Sequence, residues 1–278
     1  MVENTNPNLI LECKDQVATI WPRLRHEMTP EQLEAAKHAP AAALALANLL
    51  GQLRADDGIR VIVLHRGGEG VASGVPTSSY ESQEWQSHHS DPDNLWRTFN
   101  GIVRLHELIA SIEKPIVAQV NGDVIGLGCS IVLACDLIVA REDAGFLDHH
   151  LGMGQSKPIG PPFGLVPGDG GLALAPLYFT PPLAKEFLML AREYTAAELA
   201  QRGMINYAVP PADLDGKVAE LVRRLLERPA YPLAWAKRVA NRHVIDQLNR
   251  TLDAGAGYEM SGLLMLEKQG WIDRKSLD

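Results

Sequence analysis

The residues in this 278-residue chain whose types and spacing can do chemistry lie between Lys114 and Gly171. A β-branched apolar run, Ile116 to Val120, feeds a turn punctuated by Asn121, Gly122, Gly126 and Gly128, and a small-residue helix is expected to follow and to end near Cys135 and Asp136. That layout aims unpaired backbone N–H groups and the positive end of a helix dipole at one spot, which suits an oxyanion. Histidine adds the other half of such chemistry, because its ordinary pKa lies near neutrality and it can both take and give a proton. The sequence places His149 and His150 side by side within this segment. Consecutive residues of an extended strand point to opposite faces, so one of the two is expected to enter a site.

The elements that must hold these groups alternate between strand and helix. Leu9 to Ile20 reads as a strand pair about the polar turn Lys14-Asp15-Gln16, and Thr29-Pro30-Glu31 starts a helix that runs to Leu53. Ile59 to Leu64 is a short apolar strand, Gly67 to Asp93 a polar loop, and Leu95 to Ile112 a helix leading into the Lys114 strand. Helices over Leu172–Tyr178, Leu183–Arg192 and Ala196–Gly203 precede a strand at Ile205–Val209, and almost everything after Asp213 reads as helix. The pattern predicts an α/β fold in one main domain, residues 1–212, with a helical C-terminal region, 213–278.

Composition narrows the function classes. A formal net charge of −8 leaves no basic stripe to neutralise phosphates, which argues against nucleic acid as a partner. Three scattered cysteines, Cys13, Cys129 and Cys135, form neither a disulfide framework nor a zinc cluster, and reduced thiols are expected. Neither an H-x-x-x-H motif nor a carboxylate cluster with metal spacing appears, so no metal is expected. The N-terminal stretch lacks a basic start followed by an apolar segment, and no run of about 18 apolar residues occurs, so a cytoplasmic protein without a membrane partner is expected.

The motif P-x-x-A-x-V-N-G-x-x-x-G-x-G with a following aspartate, and the later G-x-x-P-G-x-G-G, resemble the crotonase superfamily, which includes the enoyl-CoA hydratases and isomerases. The resemblance implies a ββα spiral core, C-terminal helices that build homotrimers or pairs of trimers, and no cofactor beyond CoA carried by the substrate. It also implies an oxyanion hole made by the N–H groups of Val75, in GVASGVP, and Leu127, in GLG. Gly74, Gly126, Gly168 and Ser130 are then expected to line the substrate. Hydratases of the family use two glutamates; here Ser130 stands at the first position and His150 at the second. A serine cannot accept a proton near neutral pH unless something activates it, so proton transfer falls to His150, oriented by Asp169 of PGDGG. The acidic residue that follows the first donor in relatives is replaced by Pro76, and the lysine that holds CoA is missing, leaving Arg23, Arg25 and Lys237 as compensating cations.

Three readings follow from these residues. The first is an enoyl-CoA hydratase/isomerase-like enzyme acting on an acyl-CoA. The second is a CoA-independent hydrolase that cleaves a carbon–carbon bond of a cyclic β-diketone, a group whose pattern also places an acidic residue where Glu259 stands. The third is a binding protein that kept the fold without catalysis. The proline- and glycine-rich stretch Gln155–Phe163 reads as an insertion beside the pocket.

Overall fold

The computed structural model describes residues 2, 4, 6–23, 28–38, 42–66, 91–152 and 164–268. Strands β1 (Leu9–Lys14) and β2 (Val17–Pro22) form the expected hairpin, turned by Asp15 and Gln16, both in the left-handed region at φ 50° and 68°. The helix expected from Pro30 to Leu53 is two, α1 (Pro30–His38) and α2 (Ala42–Ala55), and the sequence places Pro40 between them. Proline lacks the N–H an interior helical position must donate, which accounts for the division.

Strand β3 (Val61–Arg66) runs parallel to β2 and to β4 (Ile116–Val120). Between them lies α3 (Pro92–Ser111), whose N-cap Asp91 accepts from the backbone of Asp93 and Asn94. Pro92 and Asp93, expected at the end of a loop, are thus the first helical residues. The main sheet has the order β1-β2-β3-β4-β6-β9, with β6 at Leu137–Arg141 and β9 at Tyr207–Val209. A second sheet, β5 (Val124–Ile125), β7 (Gly145–Leu147) and β8 (Tyr194–Thr195), carries the site. Its β5 delivers the chain into α4 (Leu127–Ala134), and its β7 delivers it to Asp148, His149 and His150. β5 and β7 are paired in parallel, Val124 with Phe146 and Ile125 with Leu147, so both exits lie at one end of the sheet.

Helices α5 (Gly171–Tyr178), α6 (Pro181–Leu190) and α7 (Ala196–Gln201) follow, the last closed by a capping box between Thr195 and Glu198. The C-terminal part is helical: α8 (Leu214–Leu226), α9 (Ala230–Ala240) and the 27-residue α10 (Arg242–Lys268). The core joins Ile62, Leu64, Ile116 and Ala118 of the sheet to Leu46, Leu50 and Leu53 of α2, Leu105 and Ile109 of α3, and Leu248, Leu252 and Leu263 of α10. No helix among the described residues is long and apolar enough to cross a membrane.

Candidate active site

Gly126 caps α4 with φ 53°, a left-handed conformation that glycine adopts at little cost, and its N–H donates to Leu147 O across the β5–β7 pair at 3.0 Å. A side chain there would collide with the neighbouring rings: a Cβ would stand 2.4 Å from His149 Cε1 and 3.2 Å from His150 Cε1. The glycine therefore lets both imidazoles pack against the start of α4. Leu127 is the first helical residue, so its N–H has no acceptor within the helix and faces outward from the N-terminus.

His150 is buried among three carboxylates. Its Nδ1–H donates to Asp148 Oδ1 at 2.8 Å, and its backbone N–H donates to the same oxygen at 3.1 Å. On the far side of the ring, Nε2 lies 3.3 Å from Asp169 Oδ2 and 3.6 Å from Glu259 Oε1. Burial alone would lower the His150 pKa, but Asp169, Asp148 and Glu259 outweigh it and hold the pKa well above the ordinary histidine value. His150 is an imidazolium at neutral pH. Burial likewise acts to raise Asp169, and the His150 charge beside it prevails, so its carboxyl sits below the usual range. Burial pushes Glu259 up to about 8 against the opposing charge of His150. At neutral pH it holds a proton.

Glu259 comes from α10, and a backbone contact brings it in. A Cβ on Gly168 would stand 2.1 Å from Gly255 O, so two glycines let the loop before α5 and the backbone of α10 touch. Gly255 lies one helical turn before Glu259 and on the same face. Gly168 thus acts through helix docking.

The sequence profile described as enoyl-CoA hydratase/isomerase matches residues 37–261. This chain belongs to the enoyl-CoA hydratase/isomerase family. It is 28% identical over 222 residues to the 1,2-epoxyphenylacetyl-CoA isomerase of Escherichia coli K12, covering 77% of each chain. It is 29% identical over 153 residues to the crotonyl-CoA hydratase of Syntrophomonas wolfei, where the match spans 55% of either chain, about half the length of that relative. Among solved structures, an enoyl-CoA hydratase/isomerase from Mycobacterium paratuberculosis superposes with a TM-score of 0.75 at 22% identity, covering 96% of this chain and 97% of that one. A β-diketone hydrolase from the cyanobacterium Anabaena reaches 0.74 at 19% identity, covering 94% and 96%. These superpositions show the crotonase fold.

Within this family member, the structure brings His150, Asp169, Glu259, Gly126 and Leu127 together; Gly74 and Val75 lie outside the described residues, as do Arg25 and the stretch Gln155–Phe163. The expected division of His149 from His150 does not hold. The pair lies beyond the end of β7, with His150 at the start of a turn, and the two rings lie 4.8 Å apart, both buried. Burial, with the adjacent imidazolium second, lowers the His149 pKa to about 4, so it stays neutral beside its charged neighbour. Lys237, considered as an anchor for CoA, is buried with its Nζ 2.7 Å from Asp136 Oδ2 and donating to Lys114 O at 3.0 Å. It holds α9 to the core instead. Arg23 donates through Nε to Pro7 O at 3.0 Å.

Asp148 and His106 were not singled out in the sequence. Asp148 is signalled only by its place two residues before His150, and His106 only by falling on the buried face of α3. The donor atoms of Asp148, His150 and Asp169 all lie within 4.8 Å of one another, a group that sequence spacing does not reveal and that has the composition to hold a cation. The imidazolium fills that electrostatic role as the residues stand. A cavity of about 490 Å³ lies at the opposite end of α4, against Cys135, Asp136, Tyr178 and Lys237, and is separate from this site.

Proposed function

We propose that the protein is an acyl-CoA hydratase or isomerase that forms an enolate against the N–H groups of Leu127 and Val75 and protonates it from His150. The observation that carries this reading is His150 itself, an imidazolium in contact with the residue that caps α4, whose N-terminus is suited to bind the thioester oxygen. Preorganised donors aimed at developing charge are worth about 3–4 kcal/mol each. A cation one residue away strengthens the same field, and after giving its proton to the substrate carbon His150 is reprotonated between Asp148 and Asp169. The CoA moiety belongs to the substrate; no separate cofactor takes part in this scheme.

The alternative, hydrolysis of a cyclic β-diketone, requires a neutral His150 to take a proton from water. The presence of Asp169 and Glu259 about one ring nitrogen favours considering it, but the charge of Asp169 opposes the neutral form. The deciding experiment is calorimetric titration with CoA and crotonyl-CoA, followed by the loss of enoyl absorbance on turnover. Micromolar binding and hydration support the acyl-CoA reading. Failure to bind at millimolar ligand, with cleavage of a cyclic diketone, overturns it.

The assembly we infer is a homotrimer or a dimer of trimers. Tyr231, Trp235 and Val239, four residues apart on α9, are exposed, as are Tyr258 and Met265 of α10, and such faces are ordinarily covered. Light scattering at working concentration tests this, and a monomer would refute it.

A further inference from the structure

Ser130 needs a partner to carry a proton, and the fold supplies one from α3. His106 is fully buried, with Nδ1 2.8 Å from Ile102 O and Nε2 3.2 Å from Ser130 Oγ. A carbonyl oxygen only accepts, so Nδ1 carries the hydrogen. Burial lowers the His106 pKa against the opposing influences of the bond to Ile102 O and of the Asp169 charge, so the ring is neutral and Nε2 presents a lone pair. Ser130 Oγ also lies 2.9 Å from Asp169 O and 3.0 Å from Leu127 O.

One hydroxyl proton thus has three acceptors, and which it serves depends on His106. With His106 neutral, the hydroxyl donates to Nε2. Once His106 takes a proton, Nε2–H donates to Oγ, and the hydroxyl turns to Asp169 O or Leu127 O. The pair can therefore move a proton inward from Ser130 without solvent. Ser130 sits one turn past Leu127 on α4, on the face that carries the oxyanion donor.

We propose that Ser130 and His106 form the proton acceptor of the hydration step, Ser130 as the catalytic hydroxyl and His106 as the positioning base behind it, with His150 as the acid. This rests on the acyl-CoA reading above. The oxygen of water bonds to C3 of the enoyl thioester, its proton passes to Ser130 Oγ, and the serine's own proton passes to His106 Nε2. The C2–C3 π electrons move onto the thioester oxygen as an enolate, which collapses as C2 takes the proton from His150 Nε2. One water is added. One proton has moved from His150 to His106, and its return through the site resets the enzyme. A serine and a histidine on separate elements thereby perform what one carboxylate would at position 130.

The test compares Ser130→Ala, His106→Asn and their double variant in crotonyl-CoA hydration between about pH 5 and 9, with thermal unfolding as the control for folding. Asparagine keeps a donor for Ile102 O and removes the nitrogen that faces Ser130. Each single variant is expected to lower kcat about 100-fold or more with KM changed less than about threefold, and the double variant to be no worse than the poorer single. The acidic limb of the kcat profile should disappear in His106→Asn. A folded single variant within about threefold of wild-type kcat, or losses that multiply, overturns the proposal. Should the wild-type protein turn over no acyl-CoA, that reading fails, and nitrogen-15 spectroscopy of the imidazoles tests the pair directly. The neutral Nδ1–H tautomer of His106, with its Nε2 resonance shifted in Ser130→Ala, is expected; an Nε2–H tautomer, or no shift, refutes it.

Discussion

Asp148 Oδ1 accepts two hydrogen bonds from one residue, the ring Nδ1–H of His150 at 2.8 Å and its backbone N–H at 3.1 Å. The ring and the chain that bears it are fixed by a single oxygen, which leaves Nε2 as the nitrogen able to exchange a proton. Asp148→Asn removes the charge and permits the other tautomer. The expected result is a fall in kcat of up to about 10⁴-fold, the scale of losing a triad aspartate, with a lower His150 pKa read by nitrogen-15 chemical shifts.

Stability should fall as pH rises through the neutral range. Glu259 has a folded pKa of about 8 against an ordinary 4.5, so between those values the folded protein holds a proton that the unfolded chain has released. His150, raised well above 6.5, adds a loss of the same sign from about pH 6.5 upward. Both contributions are complete below the unfolded pKa and vanish as pH passes the folded one. Denaturant melts at about pH 5 and 8 are expected to show higher stability at the lower pH, with a smaller difference in Glu259→Gln.

Gly168→Ala places a methyl group 2.1 Å from Gly255 O. The backbone of α10 must then retreat, at a cost of about 1–3 kcal/mol, and Glu259 retreats with it. A lower melting temperature should accompany a lower His150 pKa, since one of the flanking carboxyls has moved away.

Lys237→Met separates packing from catalysis. Asp136, which also accepts from Ile116 N at 2.7 Å, would lose the ammonium 2.7 Å away, and burial already holds its pKa above the usual carboxylate range despite that partner. Breaking a buried pair costs up to about 3–5 kcal/mol. Affinity for CoA, measured by calorimetry on the folded variant, should change little.

The glycine-rich turn after Val120 and the strand-helix alternation were legible because local chemistry dictates them: Gly126 must be left-handed, Asp15 and Gln16 must turn a hairpin, and Pro30 starts a helix. The joining of His150 to Asp169 was within reach of the family pattern. Asp148 was not, because an aspartate beside a histidine reads as an ordinary surface pair until both are known to be buried. His106 was hidden for another reason. At helical spacing from Ile102 and Ile109 it reads as one more core position of α3, and its partner Ser130 is 24 residues away. The contact of Gly168 with Gly255 depends on the docking angle of α10, which no local signal encodes.

That contact also ties distant parts of the sequence to one imidazole. Asp148 and Asp169 reach His150 from the loops after β7 and before α5, whereas Glu259 reaches it only while α10 rests on the loop before α5. Were α10 to lift away, His150 would keep two of its three carboxyls, so its titration is a direct gauge of whether α10 is docked.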